Sequence, residues 1–167
     1  MEFSVVKGDI AQQEADALVN AANTGLRMGS GVAGALRTAA GNGLNEEAVS
    51  KGPVDLGGVA VTDAYDLEAD YVIHAAAMPE GGRATAESVR EATRNALAVA
   101  DDLGCESLVV PALGCGVAGF DLAEGARIIA QEIDAFEPES LSDVRFIGYS
   151  DEEYGTIREA AAGVRGD

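Results

Sequence analysis

The chain has 167 residues, 47% of them apolar and 24% charged, and a net charge of −18. That length fits one compact domain over residues 1–167, and that apolar share is enough to bury a core, which excludes wholesale disorder. With 29 acidic residues against 11 basic ones, the surface repels phosphate backbones and anionic lipid, so bulk nucleic-acid binding and membrane-surface binding are excluded as functions.

The predicted elements alternate strand and helix. A strand over Glu2–Lys7 is followed by one over Ala17–Asn20. A helix opens near Ser30 and runs to Ala40, with Gly41 placed to stop it, and a short helix covers Leu44–Ser50. Strands follow at Val59–Ala64 and Tyr71–His74. The clearest helix starts at Thr85 and ends before Gly104; its apolar stripe is Val89, Ala92, Ala96, Leu97, Ala100 and Leu103, spaced three and four apart. Next come a strand over Ser107–Pro111, a helix over Leu122–Phe136 capped by Asp121, and a strand over Val144–Tyr149. The last helix begins after Ser150 and Asp151 and frays near Gly163. Runs such as Leu108-Val109-Val110 are apolar on both faces, as strands covered from both sides are. The expected fold is therefore α/β, a three-layer α/β/α sandwich around a central, mostly parallel mixed sheet of about six strands. Ligands in such folds sit beyond the carboxyl ends of the strands.

Two glycine clusters fall at strand-to-helix connections: Gly29-Ser30-Gly31-Val32-Ala33-Gly34 and Gly114-Cys115-Gly116-Val117-Ala118-Gly119. Glycine tolerates left-handed dihedrals and lets a ligand approach the main chain. Successive N–H groups then converge on an anion, helped by the free N–H groups and positive dipole end of the following helix. Two such loops in one α/β domain point to a diphosphate gripped from both sides; tight turns and close packing of helix on sheet are the structural alternative. Neither loop is followed by the Lys-Ser/Thr of a phosphate-binding P-loop. Neither is a dinucleotide fingerprint, because the first lies too far behind its strand and no acidic strand-end residue follows about 20 positions on.

Other chemistries find little support. Cys105 and Cys115 are too few for a disulfide scaffold, and one His excludes a zinc finger or a three-His centre, so no metal and no cofactor are expected. Cys115 lies near a helix start, where a thiol pKa can fall, but no second His exists to serve as its base. His74, ending an apolar strand, reads as a satisfied core residue. The pairs Asp101/Asp102 and Glu152/Glu153 read as solvated faces. Met1-Glu2-Phe3-Ser4 lacks the basic flank and apolar core of a signal peptide, and no apolar run reaches the roughly 18 residues of a membrane span, so a cytoplasmic location is expected. Acidity spread along the whole chain fits a surface that stays hydrated in high salt, as in a halophile's cytoplasm; an ordinary acidic cytosolic protein is the alternative.

Several segments, taken in order, resemble the macro domain, an ADP-ribose-binding α/β family that includes processing enzymes for ADP-ribose 1″-phosphate. They are Gly8-Asp9-Ile10, Ala17-Leu18-Val19-Asn20-Ala21-Ala22-Asn23, Gly29 through Leu36, Tyr71-Val72-Ile73-His74, Pro111-Ala112 with the second glycine loop, and a terminal strand carrying Tyr149. Each piece is weak; the ordered set spans nearly the whole chain and is specific. The resemblance implies that Asp9 accepts from the adenine amino group with the Ile10 backbone beside it, and that Tyr149 stacks on adenine; by themselves Asp9 reads as a turn or capping residue and Tyr149 equally as a half-buried strand aromatic. It implies that Asn23 binds the distal ribose and orients a water while Asn20 mostly braces the loop, the two forming the catalytic set. It further implies that Gly29 and Ser30, with the amides of Gly31, Val32 and Ala33 and of Gly114, Cys115, Gly116, Val117 and Ala118, wrap the diphosphate, with Phe120 nearby.

The chain departs from parts of that pattern. One hydrolase branch carries an Asp where this chain has Ala33, and viral members often carry a His where Met28 stands. An aromatic usually faces the distal ribose where Ala118 stands, and Lys7 and Lys51 do not match the catalytic Lys of a third branch. The implied function is ADP-ribose binding with removal of ADP-ribosyl or related groups: mono-ADP-ribosyl linkages, O-acetyl-ADP-ribose or ADP-ribose 1″-phosphate. The implied partner is ADP-ribose or an ADP-ribosylated substrate. A non-catalytic reader of ADP-ribosylated partners and a structural module with a vestigial cleft are the rivals.

Overall fold

The structure is a computed structural model that describes residues 1–115 and 119–166. Six strands, β1 (Ser4–Lys7), β2 (Ala17–Asn23), β3 (Val59–Asp63), β4 (Tyr71–Met78), β5 (Ser107–Val110) and β6 (Asp143–Gly148), form one sheet in the order β1-β6-β5-β2-β4-β3. All neighbours run parallel except β3, which pairs antiparallel with β4. Five helices cover the two faces: α1 (Gly31–Ala40), α2 (Asn42–Lys51), α3 (Ala86–Asp102), α4 (Leu122–Ala135) and α5 (Asp151–Arg165). The expected three-layer sandwich is thus the observed fold.

The sheet separates two cores, as strand alternation requires. Val19, Ile73, Leu108, Val110 and Phe146 pack toward α3, α4 and α5, meeting Val89, Leu97, Ile129 and Ile157. Leu18, Val72, Val109 and Ile147 pack toward α1 and α2, meeting Leu36, Leu44 and Ala48. The Asp121 carboxylate accepts from Glu124 N–H, the cap the sequence implied, and at the start of α3 the Thr85 hydroxyl accepts from Ser88 N–H.

Several boundaries differ from the sequence reading, and β1 begins at Ser4, two residues later than expected. β2 and β4 run on to Asn23 and Met78, pairing Ala21 with Ala75 and Ala22 with Ala76. Alanine has little strand preference, but here its small side chain fits a strand covered on both faces. α2 gains a turn's worth of residues at its ends. α5 continues through Gly163 to Arg165 and stops at Gly166, which takes the left-handed conformation. A 3-10 turn at Ile10–Gln12 follows β1 and is capped by Asp9, the turn or capping role that residue suggests by itself.

Candidate ligand cleft

The carboxyl ends of the parallel strands open on a cavity of about 400 Å³. Gly8, Asp9 and Ile10 reach it from β1, Ala21 from β2 and Met78 from β4; Pro111, Ala112 and Gly114 follow β5; Ile147 and Tyr149 come from β6 and its exit. Ser30, Gly31, Val32 and Ala35 close it from the start of α1. A second cavity of about 630 Å³ adjoins it, sharing Ala21, Ser30 and Met78. Its own walls include Asn23, Arg27, Met28, Gly29, Ala33, Arg37 and Asn45. The first glycine cluster therefore stands between the two chambers.

The start of α1 is the electrostatic feature of the cleft. Ser30 takes the cap position but its side chain makes no capping bond. The first N–H satisfied in the helical manner is that of Gly34, on the Ser30 carbonyl at 3.2 Å. The N–H groups of Gly31, Val32 and Ala33 have no acceptor among the described residues, so they and the helix dipole face whatever enters. Gly31 has φ +63° and open space around its Cβ position. Gly34 is required differently: a Cβ there would stand 2.9 Å from the Gly29 carbonyl oxygen. No Lys or Arg is among the described residues lining the first cavity. An anion there is held by amides.

At the far end, Asp9 combines two jobs. Its Oδ1 accepts from Ala11 N–H at 2.9 Å, the capping role, while the residue lines the cavity. Tyr149 is 72% exposed at the rim, and its N–H donates to Glu153 Oε1 at 3.1 Å. Glu153 itself lines the cavity, so it is not the solvated face expected of it. Helix α5 begins directly behind β6, and its first turn reaches back over the opening. Asp101 is likewise no plain surface acid. It accepts from the N–H groups of Glu139, Ser140 and Leu141, which holds its carboxyl down at about 2.

Asn23 braces the loop after β2: Nδ2 donates to the Arg27 carbonyl at 3.2 Å and Oδ1 accepts from Arg27 N–H at 3.4 Å. Leu26 within that loop is left-handed at φ 59°, held there because its side chain is buried. Asn20 lines neither cavity. Strand alternation turns it toward α1 and α2, where it is 1% exposed and Nδ2 donates to His74 Nδ1 at 3.0 Å. His74 Nε2 lies 2.9 Å from Thr62 Oγ1, whose hydroxyl donates to the Asp63 carbonyl. This chain requires a neutral imidazole with its proton on Nε2, in keeping with burial that pushes its pKa down to about 4. Asn20 Oδ1 has no partner among the described residues.

The second glycine loop is described only in part, since Gly116, Val117 and Ala118 lie outside the described residues. Gly114 lines the cavity at φ +73°. Cys115 does not: its thiol donates to the Leu113 carbonyl at 3.3 Å and packs on Gly125 of α4. Burial pushes that thiol up to about 12, which removes it as a nucleophile. Phe120 packs half-buried against the core beside Gly125 and is not among the described residues lining either cavity. Sequence reasoning missed Glu153, Arg27 and Arg37. Arg27, four residues past Asn23 and two before the glycine cluster, was the one with a positional signal. Among the described residues no cluster of three His, Cys, Asp or Glu side chains is arranged to hold a metal ion, and no helix is long and apolar enough to cross a membrane.

An α/β sandwich with an amide-lined cleft at a helix start, beyond the strand ends, defines a module built to hold an anionic, nucleotide-sized ligand. The macro domain family model matches residues 19–129, and the chain belongs to that family. It is 42% identical over 151 residues to an uncharacterized protein of Mycobacterium tuberculosis, covering 90% of this chain and 42% of that one. The chain thus spans about two fifths of the length of the mycobacterial relatives it matches. An uncharacterized protein of Aquifex aeolicus is 38% identical over 166 residues, covering 99% of this chain and 100% of that one. Among solved structures, a mutant Oceanobacillus iheyensis macrodomain with ADPR superposes with a TM-score of 0.87 at 26% identity, covering 98% of this chain and 93% of that one. The Trypanosoma brucei macrodomain in complex with ADP-ribose gives 0.86 at 29%, covering 94% of this chain and 68% of that one.

Proposed function

We propose that this chain binds ADP-ribose along the two adjoining cavities and hydrolyses ADP-ribosyl or related groups. Adenine lies between Asp9 and Tyr149, the diphosphate on the amides at the start of α1 and on the second glycine loop, and the distal ribose toward Asn23. The observation that carries the reading is the set of three unsatisfied N–H groups at Gly31, Val32 and Ala33, the first two opening on a cavity with no Lys or Arg among its described lining residues. The ligands carried by the macrodomains of Oceanobacillus iheyensis and Trypanosoma brucei support it.

Hydrolysis on this scaffold relies on positioning. A water held between Asn23 and a diphosphate oxygen attacks C1″ of the distal ribose. The new C1″–O bond forms as the bond to the leaving group breaks; the water proton passes to the diphosphate oxygen, and the leaving group departs with the bonding pair. Neither Asp9 nor Glu153 serves as base, because neither is among the described residues lining the chamber that holds Asn23. One observation favours a second reading, a non-catalytic reader: both polar atoms of the Asn23 amide are already engaged by Arg27, and Ala33 supplies no carboxylate.

Calorimetric titration with ADP-ribose, AMP and NAD side by side tests the ligand, with ADP-ribose expected to bind tightest. Equal affinity for AMP, or no heat from any of them, refutes it. Release of ADP-ribose from a mono-ADP-ribosylated acidic peptide, compared between wild type and Asn23→Ala in molar salt, tests turnover. Tight binding with no release establishes the reader.

A further inference from the structure

The first chamber of the cleft has two carboxylates, Asp9 and Glu153, and no Lys or Arg among its described lining residues. Asp9 belongs to the adenine end. Glu153, in the first turn of α5, has no part in the grip on the diphosphate or in the attack of water. It is half-buried, and its Oε1 accepts from Tyr149 N–H at 3.1 Å, while its Oε2 accepts from no described residue. The bond to Tyr149 closes the chain onto the start of α5, the ordinary task of an acid in a first helical turn, but it occupies only one of the two oxygens. Glu153 also stands near the second glycine loop: burial first, then the charges of Glu153 and Asp121, push the Cys115 thiol up to about 12. The carboxyl therefore lies between Tyr149 and that loop. An adenine on Tyr149 and a diphosphate at the loop are joined by one sugar, the ribose that carries adenine.

We propose that Glu153 selects that sugar: its carboxylate accepts from the 2′- or 3′-hydroxyl and turns away ligands phosphorylated on the 2′ oxygen. This rests on the ADP-ribose reading above, which sets adenine between Asp9 and Tyr149. An ionised carboxylate only accepts, so a hydroxyl satisfies it and the bond is charge-assisted. The two hydroxyls are vicinal, so a carboxylate on either one meets a phosphate on the 2′ oxygen. Such a phosphate brings a charge of about −1.5 to −2. The same division of labour separates dinucleotide sites that take a plain ribose on an acidic residue from those that take the 2′-phosphate on an arginine. Nothing described in this chamber compensates the phosphate. Asp9 adds a second negative charge, and Lys7, just before the lining residue Gly8, is held by Asp151 at 2.6 Å and is not among the described lining residues. The bond from Tyr149 N–H steadies the Glu153 carboxyl before a ligand arrives. The ligands so selected descend from NAD and not from its 2′-phosphate.

Calorimetric titration with ADP-ribose and with ADP-ribose 2′-phosphate, at one constant KCl concentration, tests this. The affinity for the first is divided by that for the second on the same protein. The wild type is expected to favour ADP-ribose about a hundredfold, one charge-assisted bond lost and a repulsion gained. Glu153→Gln keeps an acceptor for Tyr149 N–H and removes the charge. It is expected to bind ADP-ribose about threefold more weakly and the 2′-phosphate about tenfold more tightly, so that the ratio falls to about three. Affinities that move in opposite directions separate selection from damage to the fold, which weakens both. Glu152→Gln is the control. That neighbour is exposed and is not among the described lining residues, so removing its charge is expected to leave the ratio at the wild-type value. A wild-type ratio below about ten, a ratio that Glu153→Gln leaves unchanged, or one that Glu152→Gln lowers as far, overturns the proposal. Failure of ADP-ribose itself to bind overturns the ligand reading instead.

Discussion

Acidifying the protein tests the buried Asn20–His74–Thr62 chain. In the folded protein burial holds His74 near pKa about 4; unfolded, it returns to roughly 6.5. Glu47 pulls the value up and Lys51 pushes it down, both from α2, and desolvation outweighs the two. Between these values the unfolded chain takes up a proton that the folded one does not. The stability His74 provides is therefore complete above pH 6.5, drains away as pH falls toward 4, and is gone below it. A gap of about 2.5 units at 1.36 kcal/mol each amounts to about 3 kcal/mol. The many carboxylates also titrate at the lower end and relieve repulsion, so the diagnostic quantity is a difference. Urea unfolding of wild type and His74→Gln at matched pH from 7 to 4, in constant molar KCl, isolates it. Gln keeps an acceptor for Asn20 and a donor for Thr62 but cannot ionise. The wild type is expected to lose about 3 kcal/mol more than the variant across this window. Parallel pH profiles would show that His74 is either charged in the fold or reachable by water, and the tautomer assignment would fall with it.

Four other outcomes follow from the geometry. Gly31→Ala meets no protein atom and strains only a left-handed residue, costing about 1 kcal/mol of stability, yet its methyl group enters the ligand's space, so ADP-ribose affinity is expected to fall tenfold or more by calorimetry; undiminished affinity would move the diphosphate away from α1. Gly114→Ala places a Cβ 2.6 Å from Ala84 Cβ and 3.2 Å from a Val89 methyl at φ +73°, so stability is expected to drop by about 2–3 kcal/mol together with affinity, seen as a lowered unfolding midpoint. Asp101→Asn removes the charged acceptor of three backbone N–H groups and is expected to cost about 1–2 kcal/mol at neutral pH, shrinking as pH falls from 3.8, where the unfolded carboxyl takes up its proton, to about 2, where the folded one does. Affinity for ADP-ribose is expected to stay level or rise between 0.1 and 1 M KCl as the Debye length falls from about 10 to about 3 Å, because a chain of net charge −18 repels the diphosphate and amides hold it; a tenfold loss would assign the diphosphate to arginines.

The fold was legible where periodicity and caps speak locally. The stripe from Val89 to Ala100 sets α3, the Asp121 cap opens α4, and Leu108-Val109-Val110 marks a strand covered on both sides. The reading fell short where a residue's preference and its packing disagree. Ala21-Ala22 and Ala75-Ala76-Ala77 carry no strand signal of their own, yet their small side chains let β2 and β4 run on toward the cleft between two helical layers. Gly163 looks like a stop, but a helix ends where its last carbonyls find another partner, and here that happens at Gly166.

The site was legible to the extent that it is made of backbone. A glycine cluster before a helix announces free amides from its composition alone, and the start of α1 matches that reading. Side-chain direction is a different kind of information. Asn20 and Asn23 look equivalent on paper, yet a three-residue offset on a strand sends one into the polar chain under α2 and the other to the cleft. Cys115 sits in the right loop and faces the wrong way, toward Gly125. Arg27 and Arg37 are ten residues apart, on a loop and on the outer turns of a helix, and only folding brings them to the same wall. A sequence with few cations therefore conceals where it concentrates them.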